Sequence, residues 1–316
     1  MKTKPLRVLF DAMHHGKYDF DDFLRSDVAA SYDTTKFKGR TVYRPNNTLK
    51  AYHSFLGSFL CEYLIMNDRV VYSYRKGANP TQAVVVHSES RAFFQTDIEH
   101  FFESLDRELV RSTITRSKHT IPISDIDSYI DRIIELTTVN DALPIGFSTS
   151  PPISNACLID FDNDMETHCV NSGLIYSRYS DDIIISSQSR ESIINIHEVV
   201  SELLLRHFNG MLTLNQEKTK ITGIGRKIKI LGMVILPSGK VTIDMDLKSR
   251  IEVRLHFYVH NKEKFLNLVD NNMQAGIKQL AGYINYVHSV DKPYLDKLRR
   301  KFGATVIDSF LHRSAT

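Results

Sequence analysis

Two adjacent aspartates interrupt an otherwise apolar stretch of the chain, and this interruption constrains the fold more than any other feature. The segment Leu174–Ser187 is rich in β-branched and aromatic residues on both sides of Ser180, Asp181 and Asp182. Apolar runs around a short polar break predict a β-hairpin whose turn carries the two carboxylates. Adjacent carboxylates repel each other unless a cation neutralises them, and Mg²⁺ is a hard cation that prefers oxygen ligands. The sequence therefore predicts a hairpin turn at a magnesium site.

A third carboxylate, Asp97, ends an apolar run that begins near Arg91. The run predicts a buried strand, and a carboxylate at its end can meet a hairpin turn on the neighbouring strand. Three such carboxylates can hold two metal ions about 3.5–4 Å apart, the arrangement that activates a 3′-hydroxyl and stabilises a leaving pyrophosphate. Capping of a helix that begins in Glu99–Phe102 is the alternative role for Asp97.

Two further segments carry groups that suit the same chemistry. Leu143–Asn155 combines Pro144 and Gly146 with hydroxyl residues, so its backbone can approach a flat base pair before a helix begins. A plain loop before an N-capped helix is the alternative. Lys218, in Leu212–Thr219, follows a short predicted strand and could protonate or neutralise a departing pyrophosphate. A solvated surface lysine is the alternative there.

The net charge of the 316-residue chain is only +3, but the charge is unevenly distributed. Residues 247–316 contain 12 Lys and Arg against 6 Asp and Glu, whereas residues 1–246 contain 28 against 31. A basic C-terminal region beside an acidic middle favours phosphate binding next to a metal site. A helical tail with solvated lysines is the alternative interpretation.

The cysteines and the hydropathy bear on where the protein resides. Cys61, Cys157 and Cys169 have no metal-ligand spacing and are typical of core thiols in a reducing compartment. The N-terminal apolar run is too short for a signal sequence, and no stretch reaches the length of a membrane span. We therefore expect a cytoplasmic protein with no membrane partner.

The periodicity of apolar residues predicts the secondary structure around these motifs. A basic hairpin is predicted around Lys36–Pro45, and a helix is predicted from Ile153 to about Val170. One strand is predicted over Lys227–Leu236, and the pattern is helical from Met245 onward.

The order and spacing of these segments resemble the conserved blocks of the reverse transcriptase family. The resemblance extends from about Arg40 to Gly303. The matching blocks are, in chain order, Arg40–Pro45, Asp97–Phe102, Leu143–Asn155, Tyr179–Asp182, Leu214–Thr219 and Lys229–Met233. Several blocks in the right order are far more specific than any one of them.

The resemblance implies an α+β protein with a right-hand polymerase fold. The N-terminal region and the fingers would occupy residues 1–90. A palm with an antiparallel sheet would occupy residues 91–244, including a helical insertion at residues 108–142. A helical thumb would occupy residues 245–316.

The resemblance also implies a role for each matched position at the metal site. Asp97 and Asp181 would be the principal ligands of two Mg²⁺ ions, with Mn²⁺ as an alternative. Asp182 would support them, and the carbonyl of Ile98 would complete the shell. Lys218 would be the catalytic residue that acts on the departing pyrophosphate.

Contacts to nucleotide and nucleic acid follow from the same resemblance. The ring of Phe102 would exclude a ribose 2′-hydroxyl, and Arg40 would grip the triphosphate of a dNTP. The residues implied in nucleotide binding are Lys38, Arg40, Phe102, Pro144, Gly146 and Tyr179. The residues implied in holding the primer end and the duplex backbone are Leu231, Gly232, Lys297, Arg299, Arg300 and Lys301.

Size and local detail favour the bacterial retron and defence-associated branch of the family. The chain leaves no room for an RNase H, endonuclease or maturase domain, and Ile175–Tyr179 and Leu280–Tyr294 are similar to that branch. Gln82–His87 and Ile230–Gly232 depart from elements linked to recognition of a retron's own RNA. Ile145 departs as well, because many relatives have Gln there. We therefore expect a defence-associated enzyme, with a true retron reverse transcriptase that makes msDNA as the alternative.

The expected function is RNA-directed DNA synthesis in antiphage defence. The protein would copy a dedicated non-coding RNA template into a cDNA product from dNTPs, and an effector protein or a second copy of the chain would be a further partner. An RNA-dependent RNA polymerase is disfavoured because such enzymes place a polar residue where Phe102 stands. A catalytically silent RNA-binding scaffold is disfavoured because all three carboxylates and Lys218 are present.

Overall fold

Helices and antiparallel hairpins make up the protein, which the computed structural model describes at residues 3–223, 225 and 227–312. The described residues divide into two units, each with its own set of internal contacts. The first unit is formed by the chain up to residue 79 and by residues 93–221. The second unit is formed by residues 80–92 and by the chain from residue 222 onward. The division into fingers, palm and thumb stays a prediction.

The first unit contains eight helices among the residues described. They are α1, Leu6–His14; α2, Phe20–Arg25; α3, Asn47–Phe59; α5, Arg107–Ser117; α6, Ile130–Thr137; α7, Ser150–Cys157; α8, Ile159–Asn171; and α9, Ile196–Phe208. Helix α4, Pro80–Val85, belongs to the second unit.

The strands that lie wholly or partly in the first unit form a hairpin and a four-stranded sheet. The hairpin pairs β1, Tyr32–Phe37, with β2, Arg40–Pro45. The sheet has the order β4-β5-β3-β6, and its strands are β3, Ala92–Asp97; β4, Ile175–Tyr179; β5, Asp182–Ser187; and β6, Lys220–Gly223. The antiparallel β4–β5 pair and the central position of β5 and β3 place the ends of these strands beside one another.

An aromatic cluster fixes the N-terminal helices of the first unit. Helix α3 begins at the cap residue Asn46, whose side chain accepts a hydrogen bond from the backbone N–H of Leu49 at 2.9 Å. Tyr52 and Phe55, one turn apart, then face the same side. There they meet the ring of Phe10, at 6.0 and 5.2 Å between ring centroids. Aromatic packing therefore holds α1 against α3.

The second unit joins a small sheet to a set of helices. The sheet has the order β7-β8-β9, with β7, Ile228–Ile230; β8, Met233–Ile235; and β9, Val241–Ile243. The helices that follow are α10, Met245–His260; α11, Lys262–Leu268; α12, Met273–Val290; α13, Lys292–Phe302; and α14, Ala304–His312. Their shared core includes Ile243 from the sheet and Leu255, Leu280 and Phe310 from the helices.

The structure corrects two of the predicted elements. The single strand predicted over Lys227–Leu236 is two strands, because the chain reverses at Leu231 and Gly232, both of which have positive φ. The helix predicted from Ile153 to Val170 is interrupted at Leu158, which separates α7 from α8. The hairpin predicted around Lys36–Pro45 is confirmed as the β1–β2 pair, and the mixture of helices with antiparallel sheet confirms the α+β class.

Two further features concern the cysteine side chains and the length of the helices. Cys61, Cys157 and Cys169 are buried, free thiols. Within the part of the chain that the structure describes, no helix combines the length and the apolar composition needed to cross a bilayer.

Candidate active site

The paired aspartates lie at the two-residue turn of the β4–β5 hairpin. Tyr179 pairs with Asp182 as the last residues of the ladder, so Ser180 and Asp181 form the turn. Ser180 has a φ of +62°, a left-handed conformation that an L-residue adopts only when its surroundings hold it there. The carbonyl of Asp181 accepts a hydrogen bond from the N–H of Ile98 at 3.1 Å. This bond ties the turn to the end of strand β3.

Asp97, the last residue of β3, is the carboxylate that meets this turn. The residue is 4% exposed, and its Oδ2 atom accepts a hydrogen bond from the ammonium of Lys218 at 2.8 Å. Its Oδ1 atom is buried and accepts no hydrogen bond from the described residues. The carbonyl of Asp97 accepts from the N–H of Asn215 at 2.9 Å, which holds the segment that carries Lys218. Lys218 is thus a largely exposed lysine that pairs with a predicted metal ligand, and its catalytic role stays a prediction.

The electrostatics of the site show that the three carboxylates lie close enough to interact. The pKa of Asp182 is raised to about 6, first by burial and then by the negative charges of Asp181 and Asp97. The pKa of Lys218 is raised, chiefly by its hydrogen bond to Asp97. The ammonium groups of Lys218 and Lys220 therefore offset the repulsion among the three carboxylates only in part.

The donor set suits a hard divalent cation, although the side chains do not enclose one. Among residues 3–223, 225 and 227–312, no group of three or more Asp, Glu, His or Cys side chains is placed so that it could hold a metal ion. The ammonium of Lys218 supplies the positive charge at Asp97 instead. Three carboxylates offer only oxygen donors, and the Oδ1 atom of Asp97 is a buried acceptor without a donor. The oxygen donors and the open acceptor on Asp97 fit a cation that would take its remaining ligands from a substrate.

The predicted loop at Pro144 and Gly146 packs closely against β2. Gly146 has a φ of +111°, and a Cβ atom at this position would lie 2.2 Å from the carbonyl oxygen of Tyr43. The N–H of Tyr43 donates to the carbonyl of Ile145 at 2.8 Å, and the hydroxyl of Ser150 donates to the carbonyl of Pro144 at 2.7 Å. Only glycine fits here, because both the conformation and the space exclude a side chain.

The other residues predicted to bind nucleotide belong to the first unit. Arg40 is exposed at the start of β2, and its charge lowers the pKa of Lys218 in opposition to Asp97, so the two cations are neighbours. Lys38 is exposed in the β1–β2 turn, with its ammonium 5.6 Å from the ring centroid of Phe37. Phe102 is half-buried in a 3₁₀ turn after β3, and Tyr179 is half-buried at the end of β4.

Sequence reasoning missed a buried polar cluster directly behind the hairpin turn. Arg178 lies in β4 with no exposed surface, and its guanidinium binds both carboxylate oxygens of Asp162 in α8, at 2.8 and 2.6 Å. Asn155 in α7 and Ser73 complete the cluster. The one available signal was an arginine inside an apolar strand, because a buried charge requires a partner.

The predicted nucleic-acid contacts belong to the second unit. Leu231 and Gly232 form the two-residue turn between β7 and β8, with φ of +48° and +79°. Positive φ at both central residues matches the turn type that suits the twist of a hairpin. The sequence signal for this turn was the glycine alone, because leucine rarely adopts this conformation.

The basic residues of α13 differ in how far they are engaged within the protein. Arg299 donates to Asp296 at 2.9 Å and to Asp308 at 2.8 Å. Two lysines of this helix, Lys297 and Lys301, pair with the same carboxylate, Glu252. Arg300 is exposed and forms no ion pair with any residue that the structure describes. Among the described residues, Arg300 and Lys292 are therefore the cations of α13 that have no ion pair, and Lys297 and Lys301 share a single negative charge.

Comparison with protein families identifies the region that contains these residues. The profile of the family described as reverse transcriptase (RNA-dependent DNA polymerase) matches residues 36–235. This range covers more than half of the chain. It includes the hairpin turn, Asp97, the loop at Gly146 and Lys218.

Several bacterial proteins are similar over most of their length. The retron Ec83 reverse transcriptase of Escherichia coli is 26% identical over 302 residues, which cover 92% of this chain and 93% of that protein. The retron Ec73 reverse transcriptase of E. coli is 27% identical, with 86% of each chain covered. Among solved structures, apo telomerase from Candida tropicalis matches 83% of this chain and 53% of its own, at 12% identity and a TM-score of 0.44.

Proposed function

Because the chain belongs to the reverse transcriptase family and is an RNA-directed DNA polymerase, we propose that Asp97, Asp181 and Asp182 form its nucleotidyl-transfer site. The observation that carries this assignment is the hydrogen bond between Ile98 and Asp181, which joins the carboxylate at the end of β3 to the carboxylate turn. The raised pKa of Asp182 supports the same assignment, since like charges gathered without a cation favour protonation.

Divalent ions complete this proposed chemistry. Reverse transcriptases generally use divalent metal ions, and we assign Mg²⁺, with Mn²⁺ as the alternative, to Asp97, Asp181, Asp182 and the carbonyl of Ile98. Two such ions, when bound, supply Lewis-acid stabilisation of the attacking and leaving oxygens. Lys218 then has a separate role: its ammonium, which now donates to Asp97, neutralises or protonates the departing pyrophosphate.

The remaining residues of the first unit would bind and select the dNTP. Arg40 and Lys38 are exposed cations and would bind the triphosphate. The ring of Phe102 would occupy the space that a ribose 2′-hydroxyl needs. The backbone at Pro144 and Gly146, together with Tyr179, would contact the nucleotide and its base pair. In the second unit, Leu231 and Gly232 would contact the primer end, and the basic residues of α13 the duplex backbone.

The double variant Asp181→Ala with Asp182→Ala tests the catalytic assignment. We expect it to fold and to make no DNA, because the metal ligands are gone and the repulsion between them is relieved. Primer extension with purified protein, co-purified nucleic acid, Mg²⁺ and dNTPs or NTPs measures this. Asp33→Ala, an exposed carboxylate of β1, is the matched control and should keep full activity. Substantial synthesis by the double variant would contradict the site.

The same assay separates the alternative functions. Incorporation of NTPs in preference to dNTPs by the wild-type protein would indicate an RNA-dependent RNA polymerase. No incorporation of either, with retained RNA binding, would indicate a silent scaffold.

We further propose that the template is a dedicated non-coding RNA and that the cDNA serves antiphage defence. Similarity to retron reverse transcriptases over nine-tenths of both chains supports the retron alternative, in which the product is msDNA. Sequencing the nucleic acid that co-purifies with the protein distinguishes the two: a single RNA joined to its own cDNA indicates msDNA. Plaque counts on cells with the wild-type or double-variant protein test the defence role, and co-purification tests for an effector protein or a second copy. The cytoplasmic location stays a prediction.

A further inference from the structure

We propose that Ser73, Asn155 and the Arg178–Asp162 ion pair are positioning residues that hold Ser180 in its left-handed conformation and thereby aim the catalytic aspartates. This inference rests on the proposed function of the hairpin turn. None of the four residues would touch a substrate. Their effect would pass through the backbone of the turn.

Ser180 has an unfavourable backbone conformation, and each of its polar groups is hydrogen-bonded. A left-handed conformation costs an ordinary L-residue about 1–2 kcal/mol. The two-residue turn of the β4–β5 hairpin favours this conformation, and the contacts behind the turn help to hold it. The N–H of Ser180 donates to the hydroxyl of Ser73 at 2.8 Å, and its carbonyl accepts from the guanidinium of Arg178 at 2.9 Å. Its hydroxyl accepts from the hydroxyl of Tyr74 at 3.1 Å. Every polar group of Ser180 therefore has a partner on this side of the turn.

The residues behind the turn are also hydrogen-bonded to one another. Together they form a frame, which consists of Ser73, Asn155, Arg178 and Asp162. The hydroxyl of Ser73 donates to the Oδ1 atom of Asn155 at 3.1 Å, and the amide of Asn155 donates back to the carbonyl of Ser73 at 2.7 Å. The guanidinium of Arg178 also donates to Asn155, at 3.2 Å, and holds Asp162 with two bonds. All four side chains are completely buried. Buried groups that satisfy one another leave little freedom for any member to move.

The frame connects the loop of Pro144 and Gly146 to the turn that carries the catalytic aspartates. Asn155 belongs to α7, which begins directly after the loop of Pro144 and Gly146. The opposite side of the turn is fixed by Asp181, whose carbonyl accepts from Ile98 beside Asp97. A shift of the turn would therefore change how Asp181 and Asp182 face Asp97. Misplacement of a catalytic group by about 1 Å can reduce a rate by about 100-fold.

The buried ion pair of Arg178 and Asp162 is better explained by positioning of the turn than by stability of the fold. Well-packed apolar residues often stabilise a fold as well as a buried ion pair does. The guanidinium of Arg178, which Asp162 holds in place, contributes in addition a planar set of donors that fixes the carbonyl oxygen of Ser180. That property matters to a turn that carries metal ligands.

The test compares two buried serines in the first unit. Ser73→Ala removes the hydroxyl that accepts from Ser180, and the matched control Ser117→Ala removes a buried hydroxyl that accepts from the N–H of Ile65 at 3.1 Å. Each change leaves one backbone donor unsatisfied, so both should lower the melting temperature by a similar amount. Only Ser73→Ala should reduce kcat, by about 10–100-fold, with KM for dNTP within about twofold of the wild type. Ser117→Ala should keep the wild-type kcat.

The outcomes separate this inference from the proposed function. Wild-type kcat in folded Ser73→Ala, with synthesis abolished in the Asp181 and Asp182 double variant, would overturn the positioning role alone. Should Ser73→Ala not fold, Ser73→Cys provides the same test, because a thiol occupies a similar space but accepts the hydrogen bond from the N–H of Ser180 only weakly. It should reduce kcat a fewfold, and an unchanged kcat would overturn the inference.

Discussion

The charge of Asp182 makes the fold dependent on pH in a direction opposite to that of most carboxylates. Its pKa is raised from 3.8 to about 6, first by burial and then by Asp181 and Asp97. The folded state therefore binds the proton more tightly than the unfolded state does, and the charged form destabilises the fold. The destabilisation is absent below pH 3.8, grows as the pH rises towards 6 and is complete above it. Since one pKa unit corresponds to 1.36 kcal/mol, the full effect is about 3 kcal/mol.

Asp182→Asn removes this charge while keeping a side chain of the same shape. We expect the free energy of unfolding to increase by about 3 kcal/mol at pH 8 and by about half as much at pH 5, where the wild-type carboxyl is already largely protonated. Urea denaturation at both pH values, in the presence of a chelator, measures the two differences. Asp33→Asn, on the exposed face of β1, is the control and should change the free energy by less than about 0.5 kcal/mol.

The reasoning would be refuted by an equal gain at pH 8 and pH 5, because the stabilisation would then not come from removal of a titrating charge. A loss of stability at pH 8 would refute it as well, since it would mean that the carboxylate is paired rather than repelled. Adding Mg²⁺ at pH 8 should stabilise the wild-type protein more than the variant.

Four further substitutions test other parts of the proposal. Phe102→Ala should let rNTPs compete with dNTPs in primer extension. An unchanged preference for dNTPs would show that the ring of Phe102 only packs in the core. Gly146→Ala should displace the loop and lower both the melting temperature and the activity, because its Cβ would meet a carbonyl oxygen at 2.2 Å; Gly57→Ala, with open space around its Cβ, should do neither. Arg300→Glu should reduce the slope of log affinity for nucleic acid against log salt by about 0.7–0.9. Arg299→Glu should mainly lower stability, because it breaks two ion pairs within the protein.

The parts of the site that could be predicted from the sequence are those that local pattern determines. The hairpin at Asp181 and Asp182 follows from apolar runs around a polar break, and Asp97 follows from its place at the end of an apolar strand. Local periodicity is sufficient for these two features because the partners lie on adjacent strands. The family was predicted from the resemblance of several blocks in order, and the fold class is what that resemblance implies.

The parts that could not be predicted depend on contacts between distant segments. Ser73 meets Ser180 across 107 positions, and nothing near either residue marks the pair. The pairing of Arg299 with Asp308 is also invisible to a count of charges, which treats every arginine of α13 as free for phosphate. The turn at Leu231 was missed because a leucine with positive φ contradicts local preference and depends on the surrounding hairpin.

The interleaving of the two units affects how the protein can be made and divided. Residues 80–92 belong to the second unit, and the carbonyl of Ser88 lies 3.1 Å from where a Cβ on Gly239 would stand. On the ribosome this short segment emerges before the 129 residues of 93–221, so at 5–20 residues per second roughly 6–26 s pass before the second unit resumes at residue 222. A cut at residue 221 would likewise leave α4 on the wrong fragment. The C-terminal helices should therefore be expressed with residues 80–92 supplied as a fused segment, not as a simple truncation.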